Sequence, residues 1–313
     1  MRKAIVTGGA GFIGSNLVNR LIDDGVEVII IDDLSTGTWD NIHRSAKFHK
    51  LDISKLRPNS QLYKDILDDV GEVDTVFHLA AKARVQPSIN DPVSYNDTNI
   101  NGTLNILCLA QQIQQKYKNI KVKVIYSASS SCYGDTDIFP TPETAPTNPL
   151  SPYGLQKFVG EQYCKMFSDV YGLDTCSLRY FNVYGERMNM EGAYCLVMGI
   201  FAKQMLEGEP LTITNDGKQR RDFTYVGDVV EANILAANHE HKLNGDVFNI
   251  GRGSNYSIND VADMFGGEKE YGKKVTEPFE TLAQTLKARR ILGWEPKGDL
   301  PTWIKKYKED LKL

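Results

Sequence analysis

Two side chains four residues apart carry the first chemical signal. Tyr153 and Lys157, in Tyr-Gly-Leu-Gln-Lys, place a phenol and an ammonium on one face of a helix. Ser151-Pro152 predicts the start of that helix, with serine as cap and proline in the first turn. A free tyrosine titrates at about 10 and is a poor base at neutral pH. A neighbouring lysine charge would lower that value, each unit adding about 1.4 kcal/mol of preference for phenolate. A hydroxyl partner stands in Ser127-Ala128-Ser129-Ser130-Ser131, at the end of an apolar run. From there Ser129 can hydrogen-bond the substrate oxygen that Tyr153 deprotonates. Taken singly, these patterns also describe a surface Tyr–Lys pair and a serine-rich turn. Their combination in this order is much rarer.

A phosphate cradle precedes them. Gly8, Gly11 and Gly14 lie in Thr-Gly-Gly-Ala-Gly-Phe-Ile-Gly, between a short apolar run and a helical pattern. Gly8 suits the tight turn, Gly11 the approach of a pyrophosphate, and Gly14 the packing of helix on strand. The helix N-terminus adds free N–H groups and a positive dipole end. No Gly-Lys-Ser/Thr follows, so this is not a Walker loop. Asp32 ends the next strand, 24 residues after Gly8. A carboxylate there accepts from a ribose diol and repels a 2′-phosphate, which favours NAD over NADP. Asp33 is the competing acceptor, a plain turn cap is the bland alternative, and Asp52 is placed to reach an adenine edge.

The elements that must position these groups alternate. Apolar runs at Ala4–Val6, Val26–Ile31, Val73–Leu79 and Val122–Ser127 read as buried parallel strands. Between them Ile13, Leu17, Leu21 and Ile22 share a helical face, as do Leu104, Leu107, Cys108 and Ile113. The expected fold is an α/β Rossmann-type doubly wound parallel sheet with helices on both faces, plus a smaller mixed α/β C-terminal lobe. Residues 1–178 would form the dinucleotide domain and 179–313 the second lobe, with 223–250 packing back onto the sheet. Helices are expected over about 193–207, 228–238 and 301–313, the last with a solvated lysine face.

Composition narrows the class. The chain has 313 residues, 36 Lys plus Arg and 40 Asp plus Glu, for a net charge of −4. That balance offers no basic field for a nucleic-acid backbone. Five cysteines at wide spacings without C-x-x-C predict neither disulfides nor zinc, and fit a reducing, cytoplasmic compartment. The first strand begins at about Lys3, which leaves no room for a signal peptide, and no apolar run is long enough to span a membrane. The five histidines show no ligand spacing, so no metal is expected; His78 reads as a core residue.

With these motifs in order, the chain resembles the extended short-chain dehydrogenases/reductases of the nucleotide-sugar branch, and within it the UDP-hexose 4-epimerases. The resemblance runs through His78-Leu79-Ala80-Ala81, Asn99, Arg179-Tyr180-Phe181-Asn182 and Arg221-Asp222-Phe223 as well. It implies an NAD site that adds Phe12, Ile13, Ile53, Leu79, Ala80, Ala81, Asn99 and Ser127 to the residues above. Ser129, Tyr153 and Lys157 would be catalytic. Asn182 and Arg221 would hold the diphosphate of a UDP-sugar, although Arg221 could instead pair with Asp222. Ala193, Leu196, Leu211 and Ile213 would surround the uridine. A homodimer through the helices around 99–115 and 153–167 is also implied.

Within the branch, related dehydratases carry an Asp-Glu pair, and UDP-glucuronate decarboxylases a Glu, just after the catalytic hydroxyl residue. Here Ser130 and Ser131 stand there, which fits simple epimerisation through a transient 4-keto sugar. Thr281 takes a position where a bulky Tyr goes with glucose/galactose restriction, so N-acetylated sugars are expected to fit. The second phosphate-binding Arg of the family is absent, and Lys273, Lys274 or Arg187 would substitute. Alternative readings are a UDP-glucuronate 4-epimerase, with Arg84 or Arg187 on the carboxylate, a GDP-sugar epimerase, and a non-catalytic dinucleotide sensor.

Overall fold

Seven parallel strands form the centre of the molecule. A computed structural model describes residues 1–190, 195–275 and 277–313. Its strands are β1 (Lys3–Thr7), β2 (Glu27–Asp32), β3 (Lys47–Lys50), β4 (Thr75–His78), β5 (Lys123–Ser129), β6 (Asp174–Tyr180) and β7 (Asp246–Ile250). Their order is β7-β6-β5-β4-β1-β2-β3, all pairs parallel. The reversal beside β1 opens a crevice at the carboxyl ends of β1 and β4.

Side-chain alternation on these strands builds two cores. Ala4, Val6, Val28, Ile30 and Phe77 face one side, which is covered by α1 (Phe12–Asp23), α6 (Val226–Asn238) and α8 (Leu286–Leu292). Ile5, Ile29, Ile31 and Val76 face the other, under α2 (Gln61–Val70), α3 (Thr103–Lys116) and α4 (Pro152–Tyr171). The period of two in each strand makes both faces apolar, so helices must cover both.

The second lobe has its own core of Phe201, Leu211, Ile213, Val261, Phe265 and Ile304. It gathers α5 (Val197–Glu207), α7 (Ile258–Phe265) and α9 (Leu300–Leu311) around three two-stranded pairs. Chain division and spatial division do not coincide: residue 178 falls inside β6, and β7 and α6 belong to the sheet side. Among the described residues no helix is long and apolar enough to cross a membrane.

Candidate active site

One cavity of about 760 Å³ runs from the glycine turn to the lobe. At its sheet end Gly8 has φ +72°, and a Cβ there would sit 2.8 Å from the Ala80 nitrogen. A Cβ at Gly14 would lie 2.0 Å from the Gly8 carbonyl oxygen, so only glycine lets α1 come this close to the turn. The cap of α1 is Gly11, with no side chain bonding the first N–H groups. Those donors remain for an anion. Asp32 is buried, and its carboxylate accepts from Ala10 N at 3.0 Å and Leu34 N at 2.8 Å. Burial raises its carboxyl above the usual range, and the two backbone bonds work against that rise. Asp33, Asp52 and Ile53 line the same wall, as do Leu79, Ala80 and Ala81. Asp52 also caps a turn by accepting from Ser54 N at 2.8 Å. The glycine cradle and the acid at the end of β2 fit a dinucleotide.

Asn99 stands just behind the cavity wall. It is buried, does not line the cavity, and clasps the backbone of Lys82, accepting from its N at 2.8 Å and donating to its O at 3.0 Å. It shapes the loop after β4. His78 sits in the core between two hydroxyls, Thr7 Oγ1 at 2.7 Å and Thr103 Oγ1 at 2.9 Å. Burial, helped by the nearby Lys157 charge, pushes its imidazole down to about 3, so it stays neutral.

The reactive centre lies where β5 ends and α4 begins. Ser129 caps a short 3₁₀ turn, its Oγ accepting from Ser131 N at 3.2 Å. Ser151 caps α4 by accepting from Gly154 N at 3.1 Å, and Pro152 opens the helix. Gly154 permits the approach: a Cβ there would meet the Ser131 carbonyl oxygen at 2.6 Å. This contact brings the start of α4 against the serine turn, and Tyr153 and Ser129 line the same cavity. Lys157 is buried and donates from Nζ to the Ser127 carbonyl at 2.7 Å. Burial raises the Tyr153 phenol above its ordinary value, against the nearby Ser129 hydroxyl and the charge of Arg84. Arg84, which lines the cavity, adds a positive charge near the phenol, while Lys157, also at the wall, holds its Nζ on the end of β5.

At the lobe end, Arg221 lines the cavity and pairs with Glu277 at 2.5 Å rather than with Asp222. Glu277 also accepts from Asn215 Nδ2 at 3.1 Å. Asp222 is fully buried, with its carboxylate taken by the N–H groups of Arg252, Gly253 and Ala283. Burial pushes its carboxyl up to about 6. Asn182 donates to the Asp222 carbonyl at 3.2 Å and to Thr281 Oγ1 at 3.1 Å. Leu196 and Thr281 line the cavity too. Leu211 and Ile213 do not: both are fully buried, because strand alternation turns them into the lobe core. Thr214, Val275 and Pro278 stand at the wall instead. Ala193 lies outside the described residues. Of the three substitute cations, none lines the cavity; Arg187 donates to the Ser15 carbonyl at 3.1 Å. Sequence reasoning missed Glu161, four residues after Lys157, although the Tyr-Lys-Glu spacing of four and four was readable.

The comparisons agree with this geometry. Residues 4–251 match the family model described as NAD dependent epimerase/dehydratase family. A Methanocaldococcus jannaschii protein, provisionally named a UDP-glucose 4-epimerase, is 39% identical over 310 residues, covering 96% of each chain. The structure of a Thermotoga maritima UDP-glucose 4-epimerase with UDP-glucose superposes with a TM-score of 0.90 at 36% identity, covering 99% of both chains. A UDP-N-acetylglucosamine 4-epimerase from Methanobrevibacter ruminantium, in complex with UDP-N-acetylmuramic acid, gives 0.87 at 34% identity, again covering 99% of both. With its glycine cradle, Tyr-Lys helix and seven-stranded sheet, the chain belongs to the NAD-dependent epimerase/dehydratase family.

Proposed function

We propose that the protein interconverts the C4 epimers of a UDP-hexose, UDP-glucose with UDP-galactose and their N-acetylated counterparts. The observation that carries this reading is the shared cavity: Tyr153 and Ser129 line it together with the glycine cradle and Arg221. The chemistry that NAD supplies when bound is reversible two-electron transfer at C4. Tyr153 as phenolate takes the proton of the 4-hydroxyl and later returns it. Ser129 donates to the same oxygen, and Lys157 keeps a positive charge beneath the phenol. Arg221 and Asn182 hold the diphosphate while the keto sugar presents its other face. Leu196, Val275 and Pro278 offer an apolar wall for the base. Thr281 is small, leaving room for an acetamido group.

One feature supports the homodimer: Leu155, on α4, is 50% exposed. Light scattering that finds only monomer removes it. One observation favours a second substrate reading. Arg84 reaches the cavity beside Tyr153 with a backbone φ of +89°, a costly conformation for a non-glycine residue. A guanidinium there suits a sugar carboxylate, as in UDP-glucuronate. The test is incubation with UDP-, GDP- and dTDP-sugars without added NAD. Conversion of UDP-glucose and UDP-N-acetylglucosamine is expected; exclusive turnover of UDP-glucuronate or a GDP-sugar overturns the reading.

A further inference from the structure

A buried ion pair stands one turn behind Lys157. Glu161 follows Lys157 on α4 by the spacing at which Lys157 follows Tyr153. Its carboxylate accepts from Arg179 of β6 at both oxygens, 2.9 Å from Nε and 2.7 Å from Nη2. The two side chains are 1% and 5% exposed. Arg179 is committed beyond this bond: Nη1 donates to the Tyr133 hydroxyl at 2.7 Å, which donates to Asn249 Oδ1 at 2.7 Å. A buried pair of this kind is weak at stabilising a fold, because desolvation offsets most of the attraction. Its position suggests another use.

Lys157 is equally enclosed. Its Nζ is fixed on the Ser127 carbonyl and lies 5.0 Å from the centre of the Tyr126 ring. The titratable groups facing it are His78 from β4, Tyr126 from β5, and Glu161 and Cys164 from α4. Around Glu161 stand Arg179 from β6, Tyr126 from β5, Cys132 from the turn after β5, and Lys157 and Cys164 from α4. Burial raises the Glu161 carboxyl, and the Arg179 bonds and charge work against that rise. Burial pushes the Lys157 ammonium down to about 7, with Cys164 and Glu161 opposing the fall. Arg179 reaches the carboxylate from β6, and Glu161 stands one turn from Lys157 on the same helix.

We propose that Glu161 is a positioning residue for the reaction: clamped by Arg179, it keeps the Lys157 ammonium charged and pinned to the end of β5. The inference rests on the roles given above to Tyr153 and Lys157. Glu161→Gln alone would leave Arg179 buried without a counter-charge, so the paired Glu161→Gln/Arg179→Gln variant is used. The Lys157 13Cε–15Nζ NMR signal, identified by its loss in Lys157→Arg, is titrated in the NAD-loaded protein without sugar. The midpoint should lie near neutral pH in the unmutated protein. It should fall by about one unit in the paired variant, a tenfold weaker hold on the proton. The pH optimum of kcat should move acidward with KM unchanged, and Glu161→Asp should restore the midpoint in part. An unmoved midpoint in the folded paired variant overturns the proposal. Should that variant not fold, Glu161→Asp alone decides: a Lys157 midpoint below that of the unmutated protein supports the proposal, and an unmoved one overturns it. A wrong sugar assignment leaves this titration unaltered, so the two failures are distinguishable.

Discussion

The two ends of the cavity are built from different materials. At the sheet end the wall is main chain: a glycine turn packed against the loop after β4, and helix N–H groups left uncapped. At the lobe end it is side chain held by side chain: Arg221 on Glu277, and Asn182 on Thr281, partners 56 and 99 residues apart. A wall of backbone fails sterically and takes the fold with it. A wall of paired side chains can lose one member and keep its frame, although the orphaned partner then carries the cost.

Tyr153 stands at the junction, and its loss should produce the largest effect. Tyr153→Phe keeps the ring and removes the hydroxyl from the cavity wall. Turnover should fall about 1,000-fold, within the range for a general acid–base group. The dinucleotide content and melting temperature should stay as they were. If the dinucleotide is lost as well, the phenol belongs to the sheet-end wall and the division made here is wrong.

Gly14→Val tests the sheet end. Two branches at Cβ would enter space already taken by the Gly8 carbonyl, 2.0 Å away. Overpacking of this severity should cost about 3 kcal/mol of stability, read from denaturant unfolding, and should abolish retention of the dinucleotide. At the lobe end Arg221→Ala should leave dinucleotide retention intact and raise KM for the sugar nucleotide about 10- to 100-fold, the worth of one to two charge-assisted bonds. Equal effects of Arg221→Ala on both ligands would merge the two ends into one.

The same contrast explains what the sequence revealed. Gly8, Gly14, Asp32 and the Tyr153–Lys157 helix are local patterns, readable because the chemistry needs their spacing within one turn or one strand–helix unit. Leu211 and Ile213 looked like uridine contacts, yet the alternation of their own strand turns both inward. Asn99 fell in family order, and only the fold shows its amide bonded to the Lys82 backbone and to Gln156 Oε1. The partner of Arg221 was equally hidden: the adjacent Asp222 was the natural guess, and only the fold brings Glu277 to the guanidinium. β6 was hard to see because its Arg179 is charged, and its counter-charge lies on α4.

Thr281 gives the smallest and most discriminating test. Its hydroxyl accepts from Asn182 Nδ2 and from Asp222 N, both at 3.1 Å, so it joins the Asn182 amide to the backbone of the buried acid. Thr281→Val keeps the volume and removes both acceptor sites. The Asp222 N–H then has no side-chain acceptor at this position, while Asn182 keeps its bond to the Asp222 carbonyl. About 1 kcal/mol of stability should be lost, since a buried donor is left unpaired. Stability at the lobe end and affinity should fall together, with KM for the sugar nucleotide rising about threefold as Asn182 loosens. If stability falls while KM does not move, Asn182 is held well enough by the backbone alone. The lobe end would then be nearer in kind to the main-chain wall opposite it.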